Sequence, residues 1–430
     1  MTDPVTLTIR PAGALRGQTT IPGDKSISHR AVMFAALAHG DSTIRGWLPA
    51  GDTLATLGAI RALGVPVERP DPTTLLVQGG TLRPPREPLY LDNAGTGLRL
   101  LAGILAGQPF SSTLDGSAQL RRRPMRRLTE PLRLMGARVT DTDGLPPLHF
   151  EPAHLRGIHY AMPIASGQVK SALLLAGLFA DGPTTVIQPG PARDHTERLL
   201  LSMGADLTLN GNTVTLQPGN PLQPLNLTVP GDFSSAAFLL IAATIVPDSY
   251  VTLENIDLNP TRTGLLDVLI AMGARISVVE TGTAGGDPVG TLSVAAAPLN
   301  ACEIAGETVV RMIDEFPILM IAALCAEGET TVRDARELRV KETDRIAVMA
   351  AELRKMGAVI AEHEDGFTIR GPQQLQGAVV DGHDDHRIAM SLTVAGLIAA
   401  GTTVVNDAAC AADSFPGFAA TLARLGAHVQ

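Results

Sequence analysis

The first long element of the chain opens with the stretch Pro22-Gly23-Asp24-Lys25-Ser26-Ile27-Ser28-His29-Arg30. The Pro-Gly pair indicates a turn, and either Asp24 or Ser26 can cap a helix that continues past Arg30. A helix N-terminus presents free backbone N–H groups and the positive end of the helix dipole, so Lys25, Ser26 and Arg30 suit an anion there. Taken alone, this stretch has a simpler interpretation, which is a capped surface helix with two solvated cations.

The pattern of this first element recurs along the whole chain. Six segments share a polar or glycine-rich start, an apolar helix, a Gly or Pro break and a strand rich in Thr and Val: residues 22–44, 92–114, 162–186, 230–253, 311–332 and 385–405. Each is followed by a second amphipathic helix with a recurrent ending: Leu63-Gly64-Val65, Met135-Gly136-Ala137, Met203-Gly204-Ala205, Met272-Gly273-Ala274, Met356-Gly357-Ala358 and Leu425-Gly426-Ala427. A glycine directly after a helix supplies the left-handed conformation that ends it.

Hairpin signals follow in several copies, most clearly Asp143-Gly144 and Asn210-Gly211. The pattern therefore predicts six units of about 70 residues, each with the order helix, strand, helix, strand, turn, strand.

The six units fall into two groups of three. Ile21-Pro22-Gly23-Asp24 begins the first group and Val229-Pro230-Gly231-Asp232 begins the second. We therefore predict an α/β fold of two similar lobes, residues 22–229 and residues 1–21 plus 230–430, with the Pro-Gly segments as the crossings between them. The strand near residues 7–10 then belongs with the second lobe. A cleft between lobes is a usual place for a ligand, and paired crossings permit hinge closure.

Composition excludes several classes of protein. The 430 residues carry a net charge of −9 and only 3% aromatic side chains, which argues against binding to nucleic acid or an anionic membrane. The three cysteines, Cys302, Cys325 and Cys410, are far apart, as expected of reduced cytosolic thiols rather than a disulfide frame or a zinc site. Neither a secretory leader nor an apolar run of membrane-spanning length is evident. We expect a cytoplasmic protein.

Polar residues at the unit starts supply the candidate chemistry. If each first helix points its start into the cleft, these residues converge into a basic pocket suited to small molecules that carry phosphate and carboxylate groups. Asp314 and Glu342 are carboxylates among the cations and are candidates for proton transfer. Structural alternatives stay open: the arginine-rich residues 121–127 as a solvated or nucleic-acid face, residues 341–345 as surface ion pairs on a helix, and Asp314 as a helix cap.

These motifs together resemble the EPSP synthases of the enolpyruvyl transferase family over essentially the whole chain. The matching motifs are residues 23–30, Asn93-Ala94-Gly95-Thr96, Arg123-Pro124, Ser166-Gly167-Gln168, Asp314-Glu315, residues 338–345 and Asp385-His386-Arg387. The resemblance implies two lobes, each of three βαβαββ units, in an inside-out α/β barrel. It also implies transfer of the enolpyruvyl group of phosphoenolpyruvate to the 5-hydroxyl of shikimate 3-phosphate, with release of phosphate and without a metal or other cofactor.

The resemblance also implies a role for each matching residue. Asp314 is the expected base for the attacking hydroxyl, and Glu342 and Lys25 are the candidates for proton exchange at the methylene carbon. Shikimate 3-phosphate is expected to contact Lys25, Ser26, Arg30, Ser166, Gln168, Arg193, Asp314 and Lys341. Phosphoenolpyruvate is expected to contact Lys25, Asn93, Gly95, Arg123, Gln168, Arg345, His386 and Arg387. In this family the herbicide glyphosate occupies the phosphoenolpyruvate site, where a Gly at position 95 leaves room for it.

One departure and two rival functions complete the interpretation. Many relatives carry a Lys at the position that corresponds to Ala409, where it contacts phosphoenolpyruvate. A sister enzyme transfers the same group to a UDP-N-acetylglucosamine acceptor and generally uses a Cys in the loop of residues 115–123, which has no Cys here. The other alternative is a non-catalytic anion-binding relative. The expected partners are the two small anionic substrates, and we expect a monomer.

Overall fold

The computed structural model describes residues 6–430, which divide into two compact units. We call Gly23–Val229 together with Thr283–Asp287 the inserted unit. We call residues 6–22, Pro230–Gly282 and Pro288–Gln430 the terminal unit. Both units are built of alternating helices and strands, and the predicted α/β class is confirmed.

Two strands of the terminal unit open the described chain, β1 (Leu7–Arg10) and β2 (Arg16–Thr20). The helices of the inserted unit are α1 (Lys25–Leu37), α2 (Gly51–Ala62), α3 (Gly95–Ala106), α4 (Arg126–Leu134), α5 (Gly167–Gly177) and α6 (His195–Ser202). Its strands are β3 (Asp41–Arg45), β4 (Val67–Asp71), β5 (Thr74–Gln78), β6 (Leu89–Tyr90), β7 (Ser112–Asp115), β8 (Arg138–Thr142), β9 (Leu145–Glu151), β10 (Leu155–Arg156), β11 (His159–Ala161), β12 (Ala180–Asp181), β13 (Thr184–Ile187), β14 (Asp206–Asn210), β15 (Thr213–Gln217) and β16 (Asn226–Thr228).

The terminal unit continues with helices α7 (Phe233–Ile245), α8 (Gly264–Ala271), α9 (Glu307–Arg311), α10 (Phe316–Cys325), α11 (Arg345–Lys355), α12 (His386–Gly396) and α13 (Phe418–Arg424). Its further strands are β17 (Tyr250–Asp257), β18 (Arg275–Ala284), β19 (Asp287–Ala295), β20 (Glu303–Ile304), β21 (Gly328–Val332), β22 (Ile360–His363), β23 (Gly366–Gly371), β24 (Val379–Asp381), β25 (Thr403–Asn406) and β26 (His428–Val429). The end of β18 and the first residue of β19 fall in the segment Thr283–Asp287, which belongs to the inserted unit. Short 3-10 helices lie at Leu120–Arg122, Arg336–Val340 and Ala408–Asp413.

The strands form one four-stranded sheet for each predicted unit, and β10 and β12 form a separate parallel pair in the inserted unit. The strand orders are β16-β3-β5-β4, β6-β7-β9-β8 and β11-β13-β15-β14 in the inserted unit, and β2-β17-β19-β18, β20-β21-β23-β22 and β24-β25-β1-β26 in the terminal unit. In every one of these sheets the first pair is parallel and the second is antiparallel. The repeated architecture predicted from the sequence is confirmed.

The first helix of each repeat lies at the centre of its unit. Helices α1, α3 and α5, and likewise α7, α10 and α12, are buried along most of their length. A helix that is apolar on all sides must be surrounded by protein. The sheets have the opposite character, because strands such as β5 and β9 alternate buried and more exposed residues, as sheets covering a core on one face do. Helices therefore form the interior and sheets the outer layer.

Local signals in the sequence identify the ends of the helices. Gly64, Gly136, Gly204, Gly273, Gly357 and Gly426 all follow a second helix and have φ between 83° and 108°. A side chain is strained at such angles, which explains the recurrent glycine. At the start of α1, the carboxylate of Asp24 accepts a hydrogen bond of 2.8 Å from the backbone N–H of Ile27. Asp24 is therefore the cap, and Ser26 lies within the first turn of the helix. None of the helices formed by residues 6–430 combines the length and the apolar character needed to cross a lipid bilayer.

Candidate active site

The start of α1 carries a cation that is held near a carboxylate. Lys25 Nζ lies 3.4 Å from Oδ2 of Asp52, at the start of α2, and the two side chains are 18% and 20% exposed. Ser26 is also only partly buried. The first turn of α1 thus presents an accessible ammonium group and a hydroxyl at the positive end of a helix, as predicted.

Arg30, one turn further along α1, is buried at 3% exposure. Its Nε donates to Thr196 Oγ1 at 2.8 Å, its Nη1 to the Ser26 carbonyl at 2.9 Å and its Nη2 to Ser171 Oγ at 3.1 Å. Burial lowers the pKa of Arg30 to about 10, although the carboxylate of Glu197 acts in the opposite direction. The positive charge of Arg193 lowers the same pKa, which shows that these two arginines lie near each other. Arg30 nevertheless stays charged at neutral pH.

Gln168, on α5, is oriented by side chains of α3. Its Oε1 accepts a hydrogen bond of 2.8 Å from Arg99 Nη1, and its Nε2 donates one of 2.9 Å to Thr96 Oγ1. Both ends of the amide are therefore fixed by the neighbouring repeat. Ser166 caps α5, because its hydroxyl accepts from the backbone N–H of Val169 at 3.4 Å.

Gly95 is the first residue of α3 and lies against two arginines. A Cβ atom placed on Gly95 would be 2.8 Å from Arg123 Nη1 and 3.1 Å from Arg99 Nη1. Asn93, two residues earlier, accepts a hydrogen bond from the hydroxyl of Ser117. The predicted Gly95 and Arg123 therefore lie side by side, and the absence of a side chain at Gly95 allows this close approach.

A second cluster, in the terminal unit, surrounds Arg345 with carboxylates. Its Nε lies 2.9 Å from Asp385 Oδ2, its Nη2 2.6 Å from Glu342 Oε2 and its Nη1 3.3 Å from Asp314 Oδ1. Burial opposes the charge on Arg345, which is 2% exposed, yet Asp385, Glu342 and Asp314 raise its pKa above the ordinary value. The interpretation of residues 341–345 as surface ion pairs is therefore wrong for Arg345.

Asp314 lies between two arginines. Besides its contact with Arg345, Oδ2 of Asp314 is 3.7 Å from Nη2 of Arg387, and its backbone carbonyl accepts a hydrogen bond of 3.1 Å from Nη1 of Arg387. The residue at the cap position of α10 is Glu315 and not Asp314. Asp314 is only partly buried, so its carboxylate is accessible as well as paired with cations.

A chain of contacts between buried polar side chains starts at Arg387. Nη1 of Arg387 is 4.0 Å from Oε1 of Glu315, and this oxygen also accepts a hydrogen bond from the hydroxyl of Ser234. Arg262 Nη2 in turn donates to Ser234 Oγ at 2.8 Å and to Asp232 at 2.9 Å. This chain of contacts joins the starts of α7, α10 and α12.

The remaining predicted residues of the terminal unit lie at the edge of this cluster. Lys341 is partly buried directly after a 3-10 helix, and burial lowers its pKa while Asp314 acts in the opposite direction. His386 is buried in the first turn of α12, which Asp385 caps. Ala409 is exposed on the 3-10 helix Ala408–Asp413.

The structure divides the predicted residues between the two units. Lys25, Ser26, Arg30, Asn93, Gly95, Arg123, Ser166, Gln168 and Arg193 belong to the inserted unit, and Asp314, Lys341, Glu342, Arg345, His386 and Arg387 belong to the terminal unit. The arginine-rich run divides: Arg123 contributes to the first group, whereas Arg121 is exposed and pairs with Asp115. Sequence reasoning missed the supporting roles of Arg99, Ser171, Thr196, Asp385 and Glu315. The available signals were the single arginine of the mostly apolar α3 and the places of Glu315 and Asp385 within the quoted motifs.

The repeated fold and these clusters of cations and carboxylates agree with the resemblance to the enolpyruvyl transferases. Comparison with known proteins gives the particular family. A model of the family described as EPSP synthase (3-phosphoshikimate 1-carboxyvinyltransferase) matches residues 9–422. The chain belongs to the EPSP synthase family.

Individual relatives match over nearly their whole length. A 3-phosphoshikimate 1-carboxyvinyltransferase of Acidithiobacillus ferrooxidans is 50% identical over 421 residues, which cover 97% of both chains. That of Gloeobacter violaceus is 50% identical over 423 residues, covering 97% of this chain and 98% of the relative. The solved EPSP synthase of Acinetobacter baumannii superposes with a TM-score of 0.90 at 42% identity and covers 99% of each chain. The expected family and fold are confirmed.

Proposed function

We propose that this member of the family transfers the enolpyruvyl (1-carboxyvinyl) group of phosphoenolpyruvate to the 5-hydroxyl of shikimate 3-phosphate. The products are 5-enolpyruvylshikimate 3-phosphate and phosphate. The reaction belongs to the shikimate pathway, which leads to chorismate and the aromatic amino acids. The observation that carries the proposal is the position of Asp314, a partly exposed carboxylate 3.3 Å from Arg345 and 3.7 Å from Arg387.

Asp314 has the properties of a general base. Its carboxylate is partly exposed and contacts two guanidinium groups, so a substrate hydroxyl can approach it and pass it a proton. When the 5-hydroxyl attacks C2 of phosphoenolpyruvate, its proton passes to Asp314. At the same time C3 gains a proton, and a tetrahedral intermediate forms.

Glu342 and Lys25 are the candidates for the proton at C3. The ammonium group of Lys25 is an acid and can give a proton to C3 in the addition. The carboxylate of Glu342, which pairs with Arg345, can accept the proton that leaves C3 in the elimination. The second step reverses the addition at C3: the proton leaves, the C–O bond to phosphate breaks and the double bond forms again. Preorganised cations stabilise the negative charge that develops on the departing phosphate.

Substrate binding follows from the same two clusters. We assign shikimate 3-phosphate to Lys25, Ser26, Arg30, Ser166, Gln168, Arg193, Asp314 and Lys341. We assign phosphoenolpyruvate to Lys25, Asn93, Gly95, Arg123, Gln168, Arg345, His386 and Arg387. Arg30 supports the first assignment, because the described residues accept bonds from each of its three nitrogens and occupy three of its five N–H groups. An anion can therefore receive one further bond from each of Nη1 and Nη2, the paired geometry in which arginine binds carboxylates and phosphates.

A measurement of phosphate release tests the proposed reaction. The purified protein is supplied with phosphoenolpyruvate and either shikimate 3-phosphate or UDP-N-acetylglucosamine, and released phosphate is measured. We expect turnover with shikimate 3-phosphate alone. Turnover with the UDP-sugar would support the sister activity, and no turnover with either acceptor, in a protein that binds the ligands, would support the non-catalytic alternative. The family match does not favour either alternative.

Oligomeric state, location and inhibition belong to the same proposal. We expect a cytoplasmic monomer whose ligands are the two anionic substrates, and gel filtration with cell fractionation would check these expectations. We also expect glyphosate to compete with phosphoenolpyruvate, since Gly95 is retained.

A further inference from the structure

Arg30 is held almost entirely by neutral groups. Its three hydrogen-bond acceptors are the hydroxyls of Thr196 and Ser171 and the carbonyl of Ser26. Among the described residues, no carboxylate lies within ion-pair distance of its guanidinium. A buried arginine is usually paired with a carboxylate, because burying an uncompensated charge is costly. Arg30 therefore keeps a charge that an incoming anion can neutralise.

The two hydroxyls form an ordered chain of hydrogen bonds. Thr196 Oγ1, which accepts from Arg30, donates to Ser171 Oγ at 2.7 Å, and Ser171 Oγ donates to the Gly167 carbonyl at 2.6 Å. Each hydroxyl has one proton to donate, and both protons are used in these bonds. Their lone pairs must therefore face Arg30. Thr196 and Ser171 are fully buried, on α6 and α5, so the guanidinium plane is fixed by two different helices.

The carboxylate that acts most strongly on Arg30 is paired with another cation. Glu197 follows Thr196 on α6, and of the carboxylates near Arg30 it does most to raise that group's pKa. Glu197 Oε1 lies 2.5 Å from Nζ of Lys170, and both side chains are 1% exposed. Lys170 directly precedes Ser171, so the ion pair also joins the two helices that carry the hydroxyls.

We propose that Thr196 and Ser171 are positioning residues that aim Arg30 at the substrate, and that the Lys170–Glu197 pair keeps Glu197 from neutralising it. The inference rests on the proposed function, in which Arg30 binds shikimate 3-phosphate. Neutral acceptors orient the guanidinium group without competing with the substrate for its charge. The four residues act through Arg30, so the expected effect is on binding of one substrate.

The first test replaces the hydroxyl of Thr196. Thr196→Val keeps the shape of the side chain but removes the acceptor, and a bond to a charged group is worth roughly tenfold in affinity. We expect the KM for shikimate 3-phosphate to rise about tenfold, with little change in kcat or in the KM for phosphoenolpyruvate. Thr196→Ser should restore the native value. The matched control is Thr185→Val, since Thr185 lies in the same unit and its hydroxyl pairs with that of Thr215 at 3.0 Å.

The second test concerns the ion pair. Lys170→Met releases Glu197 to pair with Arg30, so the KM for shikimate 3-phosphate should again rise. Adding Glu197→Gln should lower it towards the native value, because the competing carboxylate is gone. A purely structural ion pair predicts a double variant no better than Lys170→Met. This pair of variants also decides the matter if Thr196→Val fails to fold.

The outcomes separate the inference from the proposed function. If the native protein does not turn over shikimate 3-phosphate, the proposed function fails and the inference fails with it. A second case is an active native protein whose Thr196→Val variant shows either an unchanged KM for shikimate 3-phosphate or an equal rise in the KM of both substrates. Either result overturns the inference and leaves the proposed function standing. A double variant that does not recover would overturn the role of the ion pair.

Discussion

Gly95→Ala tests the close approach between α3 and its arginines. The new methyl group would lie 2.8 Å from Arg123 Nη1 and 3.1 Å from Arg99 Nη1, both closer than normal van der Waals contact. Both atoms are ends of flexible side chains, so the fold is expected to tolerate the change. Its effect falls on the positions of two guanidinium groups, one of which is assigned to phosphoenolpyruvate.

The expected magnitude follows from this geometry. Overpacking a tight site by one methyl group costs about 1–3 kcal/mol, and a side chain that can rotate away keeps the cost near the lower limit. Displacement of Arg123 alone therefore predicts a rise of about fivefold in the KM for phosphoenolpyruvate. Glyphosate is slightly longer than the substrate and needs the volume that the methyl group takes. We expect its inhibition constant to rise by at least a further factor of about ten.

The assay is phosphate release at several phosphoenolpyruvate concentrations, with glyphosate titrated against both forms. The control is Gly58→Ala, on α2 of the same unit, because a Cβ atom there meets no other atom within 4 Å. A ratio of inhibition constant to KM that is the same in both forms would refute the steric argument. A native protein insensitive to glyphosate would show that Gly95 does not decide sensitivity, and would direct attention to Ala409.

Three further predictions concern the base, a buried histidine and the thiols. Asp314→Asn should leave folding and shikimate 3-phosphate binding largely intact while lowering kcat by at least about a hundredfold, and near-native turnover would remove Asp314 from the mechanism. Burial, together with the positive charges of Lys25 and Arg30, lowers the pKa of His29 to about 3. As the pH falls below 6.5, the imidazole therefore takes up a proton in the unfolded chain but not in the folded chain, and the free energy of unfolding decreases. Between pH 7 and about pH 5 the free energy of unfolding should fall by about 2 kcal/mol more in the native chain than in His29→Gln. Urea titration followed by Trp47 fluorescence measures this free energy, and an equal fall in both proteins would contradict the assigned pKa. Burial raises the pKa of Cys325 to about 12 and also raises the pKa of Cys302 and Cys410, so iodoacetamide at neutral pH should leave activity unchanged, and rapid inactivation would reveal a functional thiol.

Local features of the fold could be predicted because their causes are local. The six glycines that end helices, the cap at Asp24 and the hairpins at Asp143-Gly144 and Asn210-Gly211 each depend on a few neighbouring residues. A backbone angle that only glycine adopts easily, or a carboxylate next to free N–H groups, is visible in the sequence itself. Repetition of these signals was sufficient to predict six similar units.

The residues of the candidate site were also visible in the sequence, but their partners were not. The motifs contain Arg345, Asp314 and Gln168, yet nothing local indicates that Arg345 binds Asp385, forty residues later, or that Arg99 orients Gln168. Such contacts depend on how whole repeats pack against one another, and many pairings of the same helices are compatible with the same local patterns.

The sequence by itself determined where the second helix of each unit ends, how often the unit repeats and which side chains carry charge. Only the tertiary structure decided how each sheet is completed, since β16 pairs with β3 and β2 pairs with β17 across very long stretches of chain. It also decided that Arg30 is held by hydroxyls whereas Arg345 is surrounded by carboxylates. The physical reason is that the acceptors of a buried guanidinium group come from other helices, so packing sets whether its charge is already neutralised or remains available to a substrate.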